Sequence, residues 1–153
     1  MPIEMSLEEY NQLLKRPKRP PRYGPSEASE QIALFSWIDR IGIAREPRLE
    51  LAFHVPNGEH RELAVGAKLK TMGVRPGVPD VLLPVACRGW IGLAIELKVG
   101  ANTMSPEQAI WRERLLIAGW HHELHYSWVA AARCLSWYLD RSWEEMGLEG
   151  VDR

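Results

Sequence analysis

Apolar residues recur along the chain with two different spacings, and these spacings predict the order of helices and strands. A helix is predicted over residues 26–42, where a stripe at helical spacing contains Ala33, Leu34, Trp37, Ile38 and Ile41. Further helices are predicted over residues 59–72, 105–118 and 127–139. Gly73 and Gly119 end the first two of these, and Ser105 and Ser127 begin the last two.

Apolar residues that alternate or form short unbroken runs predict four strands. The first covers residues 49–55, where Leu49, Leu51, Phe53 and Val55 alternate with other residues. The others cover residues 81–83, 91–98 and 120–126. The resulting order is αβαββαβα. This order predicts an α/β domain with a mixed sheet flanked by helices.

Length and composition place the chain among ordinary globular proteins. It has 153 residues, a formal net charge of −1 and a hydrophobic content of 46%. We divide it into a basic, proline-rich arm (1–25), one domain (26–139) and an acidic C-terminal segment (140–153). It shows no signal peptide, no apolar run long enough to span a membrane, and two cysteines without metal-ligand spacing. A cytoplasmic protein that does not interact with membranes is therefore expected.

The arm contains a dense cluster of basic residues. Residues 15–22 hold five basic residues and three prolines, which prevents a helix and discourages burial. The arm is either a phosphate-binding segment or a solvated linker, and the sequence favours neither.

The candidate chemistry lies where two predicted strands carry charge. Asp80 directly precedes the run 81–83, and Glu96 and Lys98 close the run 91–95. Since alternate strand residues share a face, Glu96 and Lys98 point the same way and Leu97 points into the core. Two carboxylates can hold Mg²⁺, and a nearby lysine can orient water for phosphodiester cleavage. The alternative is a turn residue and an exposed charge pair, but apolar strands rarely carry unpartnered charges.

Two other groups could take part in a site. Glu30 lies at the top of the apolar stripe of the first helix, where a carboxylate needs a partner. Glu27, one turn earlier, is the alternative acid, and a favourable helix-dipole interaction is the structural explanation for Glu30. His121 and His125 share a strand face, but the sequence shows no third ligand, so we interpret them as ordinary strand residues.

Residues 26–129 resemble a VRR-NUC domain, a branch of the PD-(D/E)xK nuclease superfamily with a restriction-endonuclease-like core. The resemblance rests on five motifs in order, and Trp111, Leu115 and Gly119 follow the last. The motifs are Glu30-Gln31, His54-Val55-Pro56-Asn57-Gly58, Gly73-Val74-Arg75-Pro76-Gly77-Val78-Pro79-Asp80, Ile95-Glu96-Leu97-Lys98 and Ser105-Pro106-Glu107-Gln108.

The resemblance implies a nuclease that uses Mg²⁺ or Mn²⁺. It makes Asp80, Glu96 and the backbone carbonyl of Leu97 the metal ligands, and Lys98 the catalytic lysine. Glu30 becomes an additional acid near the metal, and Gln108 is expected near Lys98 or the scissile phosphate. The predicted DNA contacts in the domain are Asn57, Arg61, Lys68 and Arg75. The arm lies outside the resemblance, and its own basic composition makes Lys15, Arg16, Lys18 and Arg19 candidate DNA contacts.

The chain also resembles short phage and bacterial versions of this domain, which implies a homodimeric Holliday-junction resolvase in DNA repair or recombination. A nicking or flap nuclease, a restriction-type nuclease and a non-cleaving DNA-binding module on the same fold are the alternatives. Seven tryptophans are many for this length. Trp128, Trp137 and Trp143 are predicted either to form the dimer interface or to cover the sheet.

Overall fold

The fold is taken from a computed structural model that describes residues 24–56 and 63–152, except the side chains of residues 63 and 64. Helix α1 (Glu27–Trp37) continues into a π-helix (Ile38–Gly42) and one helical turn (Ile43–Arg45), followed by a 3₁₀ helix (Pro47–Leu51). The remaining elements are α2 (Leu63–Thr71), β1 (Val81–Leu83), β2 (Leu93–Leu97), α3 (Pro106–Ile117), β3 (His121–His125) and α4 (Trp128–Tyr138). Residues 1–23 of the N-terminal arm, Asn57 and Arg61 lie outside the described residues.

Serine side chains fix the starts of three helices. Ser26 forms a capping box with Ser29, and Ser127 accepts a hydrogen bond from the backbone of Ala130. Ser105 forms a capping box with Gln108, with Pro106 at the first helical position. These caps confirm the predicted starts of α1, α3 and α4. The starts could be predicted because each capping signal lies within one turn of the sequence.

The sheet is mixed, as predicted, and has the order β1-β2-β3. Strand β1 pairs antiparallel with β2, with Val81 opposite Ile95. Strand β3 pairs parallel with β2, with Ile95 beside Glu123 and Leu97 beside His125. Leu93, Ile95 and Leu97 of β2 belong to one buried cluster with residues of α1 and α4. Glu96 therefore points to the opposite face of the sheet.

The strand predicted over residues 49–55 is wrong. Leu49 lies in the 3₁₀ helix, which begins at Pro47 and is capped by Glu46 through the backbone N–H of Arg48. Only Leu49 of the alternating residues is fully buried, while the side chains of Leu51 and Phe53 are 53% and 44% exposed. Phe53 contributes a single antiparallel bridge to Leu82. The observed order therefore lacks the first strand of the predicted αβαββαβα.

Residues after α4 pack onto the same core. Met146 and Leu148 are fully buried, and the indole Nε1 of Trp37 donates to the Met146 carbonyl at 3.3 Å. Arg45 Nη1 donates to the Glu145 carbonyl at 2.7 Å. The acidic segment is thus continuous with the packed domain. Among the described helices, none combines the length and the apolar character needed to cross a bilayer.

Candidate active site

Asp80 is held against strand β2 by its own carboxylate. Its Oδ2 accepts a hydrogen bond from the backbone N–H of Leu97 at 2.8 Å. One step beyond the pair Val81 and Ile95, the antiparallel register also brings Asp80 opposite Glu96. His54 Nδ1 lies 2.6 Å from the Asp80 carbonyl oxygen, so both the backbone and the side chain of Asp80 are fixed.

Glu96 is a buried carboxylate with one satisfied oxygen. The side chain is 1% exposed, and its Oε1 accepts a hydrogen bond from Gln108 Nε2. Its Oε2 is buried and finds no hydrogen-bond partner among the described residues. Burial, and after it the charge of Asp80, raises the pKa of Glu96 to about 8. Such a carboxylate is costly to ionise without a cation, so the two acids fit a bound divalent metal ion.

Gln108 is oriented by the start of α3. Its Oε1 accepts from the backbone N–H of Ser105 at 2.7 Å, and its own N–H donates to Ser105 Oγ at 3.2 Å. Because the amide oxygen is engaged by a donor, the Nε2 group is left to face Glu96. The capping box therefore positions Gln108 against Glu96, and the expected proximity of Gln108 to Lys98 or the scissile phosphate stays a prediction.

Lys98 lies between two acids. Its Nζ is 3.5 Å from Glu96 Oε1 and 3.7 Å from Glu27 Oε1, and the side chain is 9% exposed. Asn102 Nδ2 donates to Glu27 Oε1 at 3.2 Å. The sequence did not indicate Asn102, whose only signal is its place in the loop that follows Lys98.

Glu30 is hydrogen-bonded to the start of α4. It is 7% exposed, and its Oε2 accepts from the backbone N–H of Trp128 at 2.6 Å, in the first turn of α4. The partner that a carboxylate on the apolar stripe requires is therefore a helix N-terminus. The predicted role of Glu30 near the metal stays a prediction.

The loop before Asp80 is pressed onto α3. Gly77 has a φ of +83°, and a Cβ at this position would lie 2.5 Å from the backbone of Glu107, so a larger residue does not fit. Trp111 Nε1 donates to the Pro76 carbonyl at 2.9 Å. A cavity of about 200 Å³ lies between the loop and α3, and Asp80 and Gln108 line it.

Lys68 and Arg75 are the two predicted DNA contacts in the domain that lie within the part of the chain the structure describes. Lys68 is exposed in the last turn of α2, and Arg75 is exposed in the loop that leads to Asp80. Both remain predictions, as does the metal-binding role of the Leu97 carbonyl.

Comparisons with known proteins agree with the fold. No protein-family model matches the chain, and no curated protein matches it. A solved structure described as a VRR_NUC domain protein is similar, with 25% sequence identity and a TM-score of 0.65. The similarity covers 78% of this chain and 92% of that one. This similarity confirms the resemblance to VRR-NUC nuclease domains that the ordered motifs indicated, and the two chains share a fold.

Proposed function

We propose that the chain is a metal-dependent DNA endonuclease that hydrolyses phosphodiester bonds in branched DNA. One observation carries the proposal: Glu96 has a buried, unpartnered oxygen on the face it shares with Asp80, with Lys98 Nζ 3.5 Å from its other oxygen. A cation site beside a fixed ammonium group is the arrangement that phosphodiester hydrolysis needs.

Asp80, Glu96 and the Leu97 carbonyl would hold Mg²⁺ or Mn²⁺. When bound, the metal supplies a lowered pKa for coordinated water and neutralises charge on the phosphate. The Leu97 N–H keeps Asp80 beside the strand, and Gln108 keeps the Glu96 carboxylate from rotating. These two hydrogen bonds support the proposal, because an effective metal site needs ligands held in place by a surrounding shell.

Lys98 acts on the phosphate and the attacking water. Its ammonium group donates to the water and stabilises the negative charge that develops on the phosphate in the transition state. Glu27 and Glu96 keep the ammonium group in place. The glycine at position 77 leaves room for the backbone of α3, so the cavity beside Asp80 keeps its shape.

The experiment compares Asp80→Asn and Glu96→Gln with Glu113→Gln, an exposed acid on α3. Each variant receives a four-way junction, a flap, a linear duplex and a plasmid, with Mg²⁺, with Mn²⁺ and with chelator. We expect the two site variants to lose at least about 100-fold in cleavage rate, or ~3 kcal/mol, and to keep DNA binding. The control should cleave like the parent.

Each possible result separates one function from the others. Preferred cutting of the junction supports a resolvase, preferred cutting of the flap or nicking of plasmid supports the nicking alternative, and sequence-specific cuts support a restriction-type enzyme. Binding without cleavage under every metal condition supports the non-cleaving module. A site variant that retains the parent rate contradicts the assignment of Asp80 and Glu96.

A further inference from the structure

Strand β3 carries a second group of potential metal ligands, separate from the candidate active site. His121, Glu123 and His125 share one face of β3 because they alternate along the strand. The parallel register pairs Glu123 with Ile95 and His125 with Leu97, so this face is the one that α4 covers. Glu96 points to the opposite face, which places the sheet between the two groups.

Helix α4 brings a thiol to this group. Ligand atoms of Glu123, His125 and Cys134 all lie within 4.8 Å of one another. Cys134 is 6% exposed, and Glu123 Oε2 lies 2.7 Å from His125 Nε2. That nitrogen is buried and, despite the short distance, has no hydrogen bond of good geometry with any described residue.

We propose that Glu123, His125 and Cys134 form a second metal site that binds Zn²⁺. A mixed set of oxygen, nitrogen and sulfur ligands favours Zn²⁺, whereas the all-oxygen set of Asp80 and Glu96 favours Mg²⁺ or Mn²⁺. Tetrahedral zinc with bonds of about 2.0–2.3 Å separates its ligand atoms by roughly 3.3–3.8 Å. The observed cluster therefore needs only small side-chain shifts to enclose the ion.

His121 completes the site as an outer partner. Its Nε2 lies 2.7 Å from Glu123 Oε1, which leaves Oε2 for the metal. The imidazole ring is itself held by Trp90, with ring centroids 4.3 Å apart. Such partners orient a ligating carboxylate and contribute to metal affinity.

The fourth coordination position faces the cavity beside α4. The three ligands line a cavity of about 760 Å³, together with Arg88, Trp137 and residues that follow α4. Water from this cavity can fill the remaining position, and the proton of the Cys134 thiol leaves to solvent when the metal binds. The ion would then connect β3 to α4 across this cavity.

The test uses the full chain with Zn²⁺ and with Co²⁺ as a spectroscopic substitute. We expect one Zn²⁺ per chain by elemental analysis, and sulfur-to-cobalt charge-transfer absorption in the near ultraviolet. Cys134→Ser should remove that absorption and weaken Zn²⁺ binding by more than about 100-fold. Cys87→Ser, at the other free cysteine, should retain both.

Two further variants keep the test decisive. Asp80→Asn should leave the cobalt spectrum unchanged, because the active-site carboxylates lie on the other face of the sheet. Zn²⁺ should also raise the melting temperature of the parent but not that of His125→Gln. The proposal is overturned if the parent shows no sulfur-to-cobalt absorption, or if Cys134→Ser binds Zn²⁺ as tightly as the parent does.

Discussion

A lysine between two carboxylates keeps its ammonium group in one place, and Lys98 has this arrangement. Its Nζ lies between Glu27 and Glu96, and little of the side chain is exposed. An exposed lysine samples many rotamers, so this confinement reduces the entropy lost when the side chain engages a phosphate. Under the proposed function, the ammonium group is oriented before DNA binds.

We predict that Lys98→Met lowers the cleavage rate by at least about 100-fold, because the charge that stabilises the transition state is lost. Metal binding, measured by calorimetric titration, should persist since both carboxylates remain. Arg114→Gln removes a positive charge from the exposed side of α3 and should cleave normally. Loss of metal binding in Lys98→Met would mean that the lysine supports the carboxylates rather than the chemistry.

The predicted role of Glu30 near the metal can be tested separately from its hydrogen bond to the Trp128 N–H. Glu30→Ala removes the acceptor for the Trp128 N–H and should destabilise the fold by about 1 kcal/mol or more, measured by denaturant unfolding. Glu30→Gln keeps an acceptor oxygen but loses the charge. If Glu30 acts near the metal, Glu30→Gln should weaken metal affinity or cleavage less severely than Asp80→Asn does. Normal cleavage by Glu30→Gln together with failure of Glu27→Gln would identify Glu27 as the acid.

The sequence limited what could be known about these acids. Glu27 and Glu30 lie one turn apart on the same stripe, so helical spacing could not separate them. The two acids differ in their partners, since Glu27 contacts Lys98 and Glu30 accepts from Trp128. Both partners come from distant parts of the chain. Asp80 and Glu96 could be paired from sequence, because Asp80 directly precedes one clear apolar run and Glu96 directly follows the next.

At the scale of elements, an ion pair joins the 3₁₀ helix to the end of α4. Glu46 Oε1 accepts from Arg48 Nε at 2.7 Å, and Glu46 Oε2 accepts from Arg141 Nε at 2.8 Å. Arg48 Nη2 also donates to the Leu139 carbonyl at 2.8 Å. Glu46 is 2% exposed, and its hydrogen bond with the Arg48 side chain is the main reason that its pKa is lowered to about 2.

From the ion pairs of Glu46 with Arg48 and Arg141, we predict that the fold loses stability in acid. A carboxyl group whose pKa is lowered in the folded state stabilises the fold above its unfolded pKa of about 4.5. The unfolding free energy should therefore fall as the pH falls from about 4.5 to about 2. At neutral pH, Glu46→Gln should cost roughly 2–3 kcal/mol, below the full shift because both arginine side chains are 41% exposed.

Denaturant unfolding between pH 2 and pH 7 measures this effect, with Glu50→Gln as the control. Glu50 is an exposed acid in the same 3₁₀ helix, and its replacement should leave the pH profile of the parent intact. A Glu46→Gln profile that parallels the parent over the acid range would show that other carboxyl groups cause the loss.

The same segment shows why one element was misassigned. Leucine alternation matches a strand, but Pro47 begins a 3₁₀ turn and the Glu46 cap is stabilised by Arg141 from after α4. That interaction joins residues 95 positions apart, so no local pattern could reveal it. The start of α3 was predictable because Ser105, Pro106 and Gln108 carry the whole signal within one turn.

At the scale of the whole molecule, the C-terminal segment is part of the core rather than a removable tail. Met146 and Leu148 are fully buried against the remainder of the domain. Ending the chain before Asp140 would therefore expose apolar surface and lower stability. Surface substitutions therefore test the oligomeric state better than a truncated chain does.

Two exposed tryptophans mark the surface that we expect to join two copies of the chain. Trp137 is 38% exposed and Trp143 is 50% exposed, and both line the cavity beside α4. Arg88 lies 4.7 Å from the ring centre of Trp137, and Arg133 lies 4.6 Å from that of Trp143. Tryptophan and arginine are enriched at protein interfaces, which favours this surface over the opposite face.

We predict that the full chain is a homodimer at micromolar concentration, because a junction needs two symmetric cuts and each chain supplies one site. Trp143→Ser should shift the light-scattering mass toward the monomer and convert paired junction cuts into single nicks. Ile32→Ser, which removes a 71% exposed apolar residue from α1, is the matched control and should remain dimeric. A full chain that scatters as a monomer while cutting DNA would favour the nicking or flap nuclease over the resolvase.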